Sequence, residues 1–260
     1  MKGTSIEIFA GLAKSYERTL DIATLYQDRR WKGWVARRLG DGHGKSVLDL
    51  GCGTLVLEDR MARTEHRFVG VDLSPEMTKA GAGKRAPNVD LLAIADAEYL
   101  PFPDESFDDV VSCYVPKYVD TWKLAGEIAR VSKPAANAVL YDFAMPRGIA
   151  SPFLQMYVRW ALRAAGWALA ASRRGEASTF MNLPWIIEET RWDEELPLAM
   201  ERNGFETIQT ARLTAGVSFA YWGRKRAVSV YQAGPGRIRR DEVGHARKGQ
   251  GRQNSVSLAH

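Results

Sequence analysis

The turn Asp49-Leu50-Gly51-Cys52-Gly53-Thr54 follows a short apolar run and precedes a helical segment. Glycines there let the backbone bend sharply and let a ligand come close to the main chain. The free N–H groups of the next helix N-terminus can hold polar ligand groups. Asp72 stands 21 residues after Gly51, at the end of the second apolar run. A carboxylate in that place can accept both hydroxyls of a ribose. Asp96 and Ala97 close the third run. Any one of these is equally an ordinary turn or a helix-capping aspartate. All three in order, each at a strand end, point to a nucleoside site. A dinucleotide fingerprint needs a further glycine where Val56 stands, and no complete phosphate-binding loop is present, since Gly44-Lys45-Ser46 precedes the first run and has Leu39 where the leading glycine would stand. NAD and ATP are disfavoured by the motif itself.

These residues need elements to position them. Short, nearly continuous apolar runs recur at 46–50, 68–72, 91–95, 110–114 and 139–143, with helical segments between them. Strands alternating with helices imply a doubly wound α/β fold, its parallel sheet covered on both faces. Ligands of such sheets sit at the carboxyl ends of the strands, where the three aspartates fall. Ser74-Pro75-Glu76 reads as a helix start, with proline in the first turn. The first 40 residues carry helical spacing, through Ile8, Leu12, Tyr16 and Leu20 and then Trp31, Trp34, Val35 and Leu39. After Pro146 the rhythm breaks into a helical insertion at about 147–192, followed by a helix at 193–203 that stops at Gly204. Residues 205–213 and 217–222 read as a closing antiparallel pair, predicting a C-terminal hairpin.

Composition narrows the class. The chain has 260 residues, 45% apolar and 26% charged, enough for one large two-sided core. No apolar run is long enough to cross a bilayer, and the first residues carry no secretory pattern. Two cysteines, Cys52 and Cys113, are too few for a disulfide framework or a metal cluster. A cytoplasmic protein without a metal is expected. From Arg224 onward nine basic and two acidic residues account for more than the whole net charge of +5, which leaves residues 1–223 at −2. Nucleic acid is therefore not the expected partner of the body. A basic tail can meet anionic headgroups, but residues 227–260 read most simply as a solvated, disordered extension of a domain at 1–226.

The residues now support a named resemblance. Val47 to Thr54 resembles motif I of class I S-adenosylmethionine-dependent methyltransferases, and Val69 to Met77 resembles their second motif. The string Asp96-Ala97-Glu98-Tyr99-Leu100-Pro101-Phe102-Pro103-Asp104-Glu105-Ser106-Phe107-Asp108 is more specific. It resembles the ubiquinone/menaquinone biosynthesis C-methyltransferases, as do the entry segment from Ile8 to Trp31 and the closing segment from Gly204 to Gly223. The resemblance covers roughly residues 8–225. It implies a seven-stranded Rossmann-like sheet, S-adenosylmethionine as methyl donor and C-methylation of a prenylated quinol. Donor contacts are implied at Asp49, Gly51, Gly53, Thr54, Asp72, Leu73, Asp96, Ala97 and Cys113. Asp72 would hold the ribose and Asp96 with Ala97 would frame the adenine. Cys113 takes the place of a small polar residue, and a buried strand cysteine is the plainer reading.

Two departures stand out. Leu55 replaces the usual third glycine of motif I, where a side chain could crowd the donor. Tyr114 to Asp120 replaces a Phe-Gly-Leu-Arg-Asn pattern, so that Lys117 and Tyr118 stand for the Arg-Asn pair. Lys117 is the candidate for stabilising a phenolate and Tyr118 for relaying or positioning a proton, against an exposed lysine and a packing tyrosine. The stretch 153–171, with Phe153, Tyr157, Trp160 and Trp167 beside Arg159 and Arg163, reads either as a lid or membrane-surface contact for a lipophilic acceptor, or as a helix packed on the sheet or on a second copy in a homodimer. In the first case the protein works at the inner face of the membrane. A methyltransferase for another small molecule or lipid, and a non-catalytic binding module favoured by Leu55, remain the alternatives.

Overall fold

The computed structural model describes residues 9–11, 13–40, 42–84, 86–147, 152–153, 155–156, 159–160 and 185–227. The expected tail and most of the expected helical insertion lie outside them.

Two helices open the described chain, α1 (Tyr16–Ala23) and α2 (Gln27–Leu39). The alternation follows with β1 (Ser46–Leu50), α3 (Val56–Arg60), β2 (Arg67–Asp72), α4 (Pro75–Ala82), β3 (Val89–Ile94), β4 (Phe107–Cys113), α5 (Thr121–Val131) and β5 (Ser132–Phe143). Helix α6 (Trp192–Arg202) and the pair β6 (Phe205–Leu213) and β7 (Ser218–Lys225) close the described chain. The seven strands form one sheet in the order β3-β2-β1-β4-β5-β7-β6. Strands β1 to β5 pair in parallel, and β7 runs antiparallel to both β5 and β6. The doubly wound sheet and its closing hairpin are thus as expected. β5 is longer than expected, beginning at Ser132 directly after α5.

Alternation along each strand sorts the core into two layers. Val47 of β1 and Val139, Tyr141 and Phe143 of β5 face α2, where Trp31, Trp34, Val35 and Leu39 meet them. Leu48, Leu50, Ala138 and Leu140 face the opposite way, against Leu124, Ala125 and Ile128 of α5 and Trp192, Leu196, Ala199 and Met200 of α6. Each buried leucine in these layers contributes about 2 kcal/mol of transfer free energy.

Two of the helices that follow strands, α4 and α5, start at side-chain caps. Ser74 accepts from the Met77 amide ahead of Pro75, and Asp120 accepts from the amides of Trp122 and Lys123. Such caps contribute about 1 kcal/mol each. They also fix where the strand ends and the helix begins, and so where the tip residues point.

Candidate active site

The glycine turn is held from two sides. The amides of Gly51 and Cys52 both donate to the Val71 carbonyl, at 2.7 and 3.0 Å. Gly51 has φ of 76°, and a Cβ there would stand 2.2 Å from Val115 Cγ2. Gly53 has φ of 55°, and a Cβ there would stand 3.0 Å from Met77 Cε. Both positions adopt the left-handed backbone that favours glycine; Val115 fills the side-chain space at Gly51, and at Gly53 the tip of Met77 would have to give way. Leu55 is also left-handed, at φ 60° and ψ 39°. It is buried and its Cγ packs toward Gly81 of α4. It is not among the residues that line the cavity described next, so the expected crowding of the donor space does not occur.

One cavity gathers the strand tips. It is lined by Asp49, Gly51, Gly53, Asp72, Leu73, Asp96, Ala97, Cys113 and Tyr118 among the residues singled out from sequence. Thr54 is not on its wall: it is buried, with its hydroxyl donating to Glu17 Oε1 at 3.0 Å. Asp72 accepts from the Ser74 amide on Oδ1 at 2.8 Å and from the Gly53 amide on Oδ2 at 2.9 Å. Burial raises its carboxyl pKa, and those two amides oppose the shift. Asp96 Oδ1 accepts from the Glu98 amide at 3.0 Å. The thiol of Cys113 is pushed well up by burial and then by the charge of Asp49, so it is a neutral wall atom rather than a nucleophile.

Asp49 is 2% exposed and its Oδ1 has no hydrogen-bond partner. Both carboxylate oxygens of buried Glu58 are likewise without one. Burial and then the charge of Glu58 push the Asp49 carboxyl well up, and burial pushes Glu58 to about 7 against an interaction with Asp49 that lowers it. An orphaned buried acceptor in the cavity wall is costly unless a cationic or donor group arrives to meet it. The ammonium of an amino-acid moiety is such a group, and the aspartate tips and glycine floor suit a nucleoside beside it. The residues therefore fit S-adenosylmethionine.

The other half of the cavity is aromatic, with Phe9, Tyr16, Tyr114 and Tyr118 on its wall. Phe9 meets Tyr16 and Tyr118 edge-on, at 6.1 and 5.6 Å between centroids. Tyr118 thus reaches the cavity, whereas Lys117 does not line it. Lys117 is 1% exposed, and its Nζ donates to Asp142 Oδ1 at 2.5 Å and to the Tyr114 carbonyl at 3.1 Å. Burial lowers the pKa of the Lys117 ammonium and raises that of the Asp142 carboxyl, with the ion pair opposing both shifts. The cation in the cavity wall is Lys32 of α2, bound to Asp28 Oδ1 at 2.6 Å. Sequence reading passed over Asp28, Lys32 and Glu58. The four-residue spacing of Asp28 and Lys32 on one helix face was the available signal; Glu58 offered none.

Residues 2–225 match the model of the ubiE/COQ5 methyltransferase family. The chain belongs to that family. Among its relatives, the demethylmenaquinone methyltransferase of Tropheryma whipplei (strain Twist) is 31% identical over 213 residues, covering 81% of this chain and 87% of that protein. The demethylmenaquinone methyltransferase of Mycolicibacterium paratuberculosis is 32% identical over 214 residues, covering 81% and 89%. Solved structures agree on the fold. The methyltransferase bound to the Haloferax volcanii Trm112 activator superposes with a TM-score of 0.59 at 19% identity, covering 84% of this chain and 97% of that one. Geranyl diphosphate methyltransferase in complex with SAM gives 0.56 at 14% identity, covering 75% and 84%. The chain is an S-adenosylmethionine-dependent methyltransferase with a Rossmann-like sheet.

Proposed function

We propose that the chain methylates a ring carbon of a prenylated quinol of the demethylmenaquinol type. The observation that carries this reading is a single cavity joining the aspartate tips to a wall of aromatic rings, in a chain whose relatives bear the demethylmenaquinone methyltransferase name. When bound, the donor supplies an electrophilic methyl group on a sulfonium. Asp72 takes the ribose hydroxyls on lone pairs left free by the Ser74 and Gly53 amides. Asp96, Ala97 and Leu73 frame the adenine, Asp49 meets the α-ammonium, and Gly51 and Gly53 give the methionine portion room. Thr54 acts one step back, holding the turn to Glu17 of α1. The aromatic wall stacks the acceptor ring and excludes water, which lets orientation and the local field do most of the work. Tyr118 positions the ring. Lys117, with Nζ 4.2 Å from the Tyr118 ring centroid, steadies it from behind.

A prenyl tail must leave the cavity toward apolar surface. Phe153 is 76% exposed and Trp160 67%, and Met156 and Trp185 are exposed as well. We infer that this side meets the tail, at the inner membrane surface or against a second copy; Arg163 and Trp167, assigned with it, lie outside the described residues. No helix among the described residues is long and apolar enough to cross a membrane. Liposome co-sedimentation of the protein, and of a Trp160→Ser variant, tests the surface reading, and loss of binding in the variant is expected.

Incubation with radiolabelled methyl donor and a panel of reduced demethylated quinols, lipids and small amines tests the acceptor. Label on a quinol ring carbon is expected, and label confined to amines or lipids would overturn the reading. The replaced segment from Tyr114 to Asp120 is what favours the second outcome. Calorimetry with S-adenosylhomocysteine separates both from a binding module with a degenerate donor site.

A further inference from the structure

Two cavities meet at Lys32. The first is the donor and acceptor cavity, with Tyr114 on its wall. The second is lined by Asp28, Asp21, Arg29, Asp59 and Arg60, and reaches the surface where Arg29, Asp59 and Arg60 are exposed. Asp28 belongs to the second cavity and Tyr114 to the first, and Lys32 lines both. One hydrogen bond crosses the partition: Tyr114 Oη donates to Asp28 Oδ1 at 2.8 Å.

We propose that Tyr114 and Asp28 form the relay that carries the acceptor's hydroxyl proton out of the active site. The proposal rests on the quinol reading above and deepens it. It makes Tyr114 a catalytic residue, touching the acceptor, and Asp28 a positioning residue that acts through it.

Four observations support the relay. Tyr114 directly follows β4 with φ of 70°, a left-handed conformation uncommon for a bulky residue. That conformation puts the hydroxyl on Asp28 of a helix 86 positions away in sequence. Asp28 Oδ1 is held by two further donors, Lys32 Nζ at 2.6 Å and Tyr141 Oη at 2.8 Å, so the proton acceptor is fixed in place. Burial and then the charge of Asp28 keep the Tyr114 hydroxyl protonated, so it passes a proton on without ionising. Finally, the cation that the family pattern leads one to expect in the replaced segment is Lys117, and Lys117 is held by Asp142. The polar groups at the acceptor end therefore come from α2 and from the end of β4.

The step balances. The acceptor's hydroxyl proton moves to Tyr114 Oη as the proton of Tyr114 moves to Asp28, which yields it to water in the second cavity. The ring carbon–methyl bond forms from the phenolate's electron pair while the sulfur–methyl bond breaks, its pair staying on sulfur. The proton then lost from the methylated carbon returns to the ring oxygen, so one proton leaves per turnover.

Tyr114→Phe removes the relay but leaves Asp28 bound to Lys32 and Tyr141. With reduced demethylated naphthoquinol, kcat should fall at least tenfold, while KM and the S-adenosylhomocysteine Kd stay within twofold. The deficit should shrink across hydroxynaphthalene acceptors of rising acidity, because an acceptor that ionises unaided needs no relay. A structural role would leave the deficit constant across that series. Asp28→Asn should show the same dependence; if it fails to fold with Lys32 unpaired, Tyr114→Phe carries the test. A Tyr114→Phe enzyme within twofold of wild type, or a deficit indifferent to acceptor acidity, would overturn the relay alone. A wild type inactive toward every quinol would overturn the acceptor reading and the relay with it.

Discussion

The two halves of the cavity are built in different ways. The donor half is made of strand tips and the turns that follow them: the amide bonds of its glycine turn span at most the 20 residues between Gly51 and Val71, and the Thr54 side chain reaches further, to Glu17 at 37. The acceptor half is held by side chains that meet from far apart, with Asp28 bonded to tyrosines 86 and 113 positions away and Lys117 to Asp142 at 25. A site made of local backbone geometry tolerates drift elsewhere in the chain. One made of long-range buried polar contacts can be rewired by a few coordinated substitutions, and it is the half that holds the replaced segment from Tyr114 to Asp120.

If that contrast is right, damage in the acceptor half should appear as stability and damage in the donor half as affinity. The largest effect expected is for Lys117→Met, which leaves Asp142 buried and unpaired. Breaking a buried pair from one side costs about 4 kcal/mol, so denaturant unfolding should show a loss of that order. A Lys117→Met/Asp142→Leu double variant should recover most of it. A single variant as stable as wild type would remove the pair from the framework.

Next comes Glu58, which straddles the contrast because it is buried behind Asp49 of the donor half. Burial pushes its carboxyl up to about 7, from 4.5 in a free chain. Between those values the folded state binds the proton that the unfolded state has lost, so stability declines as pH rises from 4.5 through 7. The decline attributable to this group is at most roughly 3 kcal/mol. Glu58→Gln should flatten that slope, matching wild type at pH 4.5 and exceeding it at pH 8. Parallel thermal melts across that range test it, and an unchanged slope would show that the Glu58 carboxyl is already ionised in the fold.

Gly51→Ala is aimed at the donor half alone. The added methyl meets Val115 and must adopt a left-handed φ, so S-adenosylhomocysteine affinity should drop at least thirtyfold, about 2 kcal/mol. Leu55→Gly is the mildest. Relief of the left-handed leucine, about 1 to 2 kcal/mol, offsets most of the lost burial. A net loss of about 1 kcal/mol is expected, with donor affinity within twofold of wild type. A large gain in affinity would mean that Leu55 reaches the donor after all.

This division also explains what could be read before any coordinates. The sheet, its direction and the tips at Asp49, Asp72 and Asp96 follow from apolar runs and turn chemistry, which are properties of neighbouring residues. The orientation of Leu55 was not legible, because it depends on the absence of a side chain at Gly81 on another element. Nor was the burial of Lys117, since it depends on a partner, Asp142, 25 positions away on another element. Lys32 reads as one more charge in a basic helix until Tyr141 and Asp28 are seen on either side of it.

The last described strand of the sequence is not the last strand of the sheet. β7 lies between β5 and β6 and carries fully buried Ala220 and Tyr221. β6 has no neighbour but β7 among the described strands. A growing polypeptide therefore presents an open hydrogen-bonding margin along β5 until β7 is made. Premature termination before residue 218 would not trim an ornament. It would release a sticky, half-finished molecule, and such fragments should depend on chaperones or precipitate.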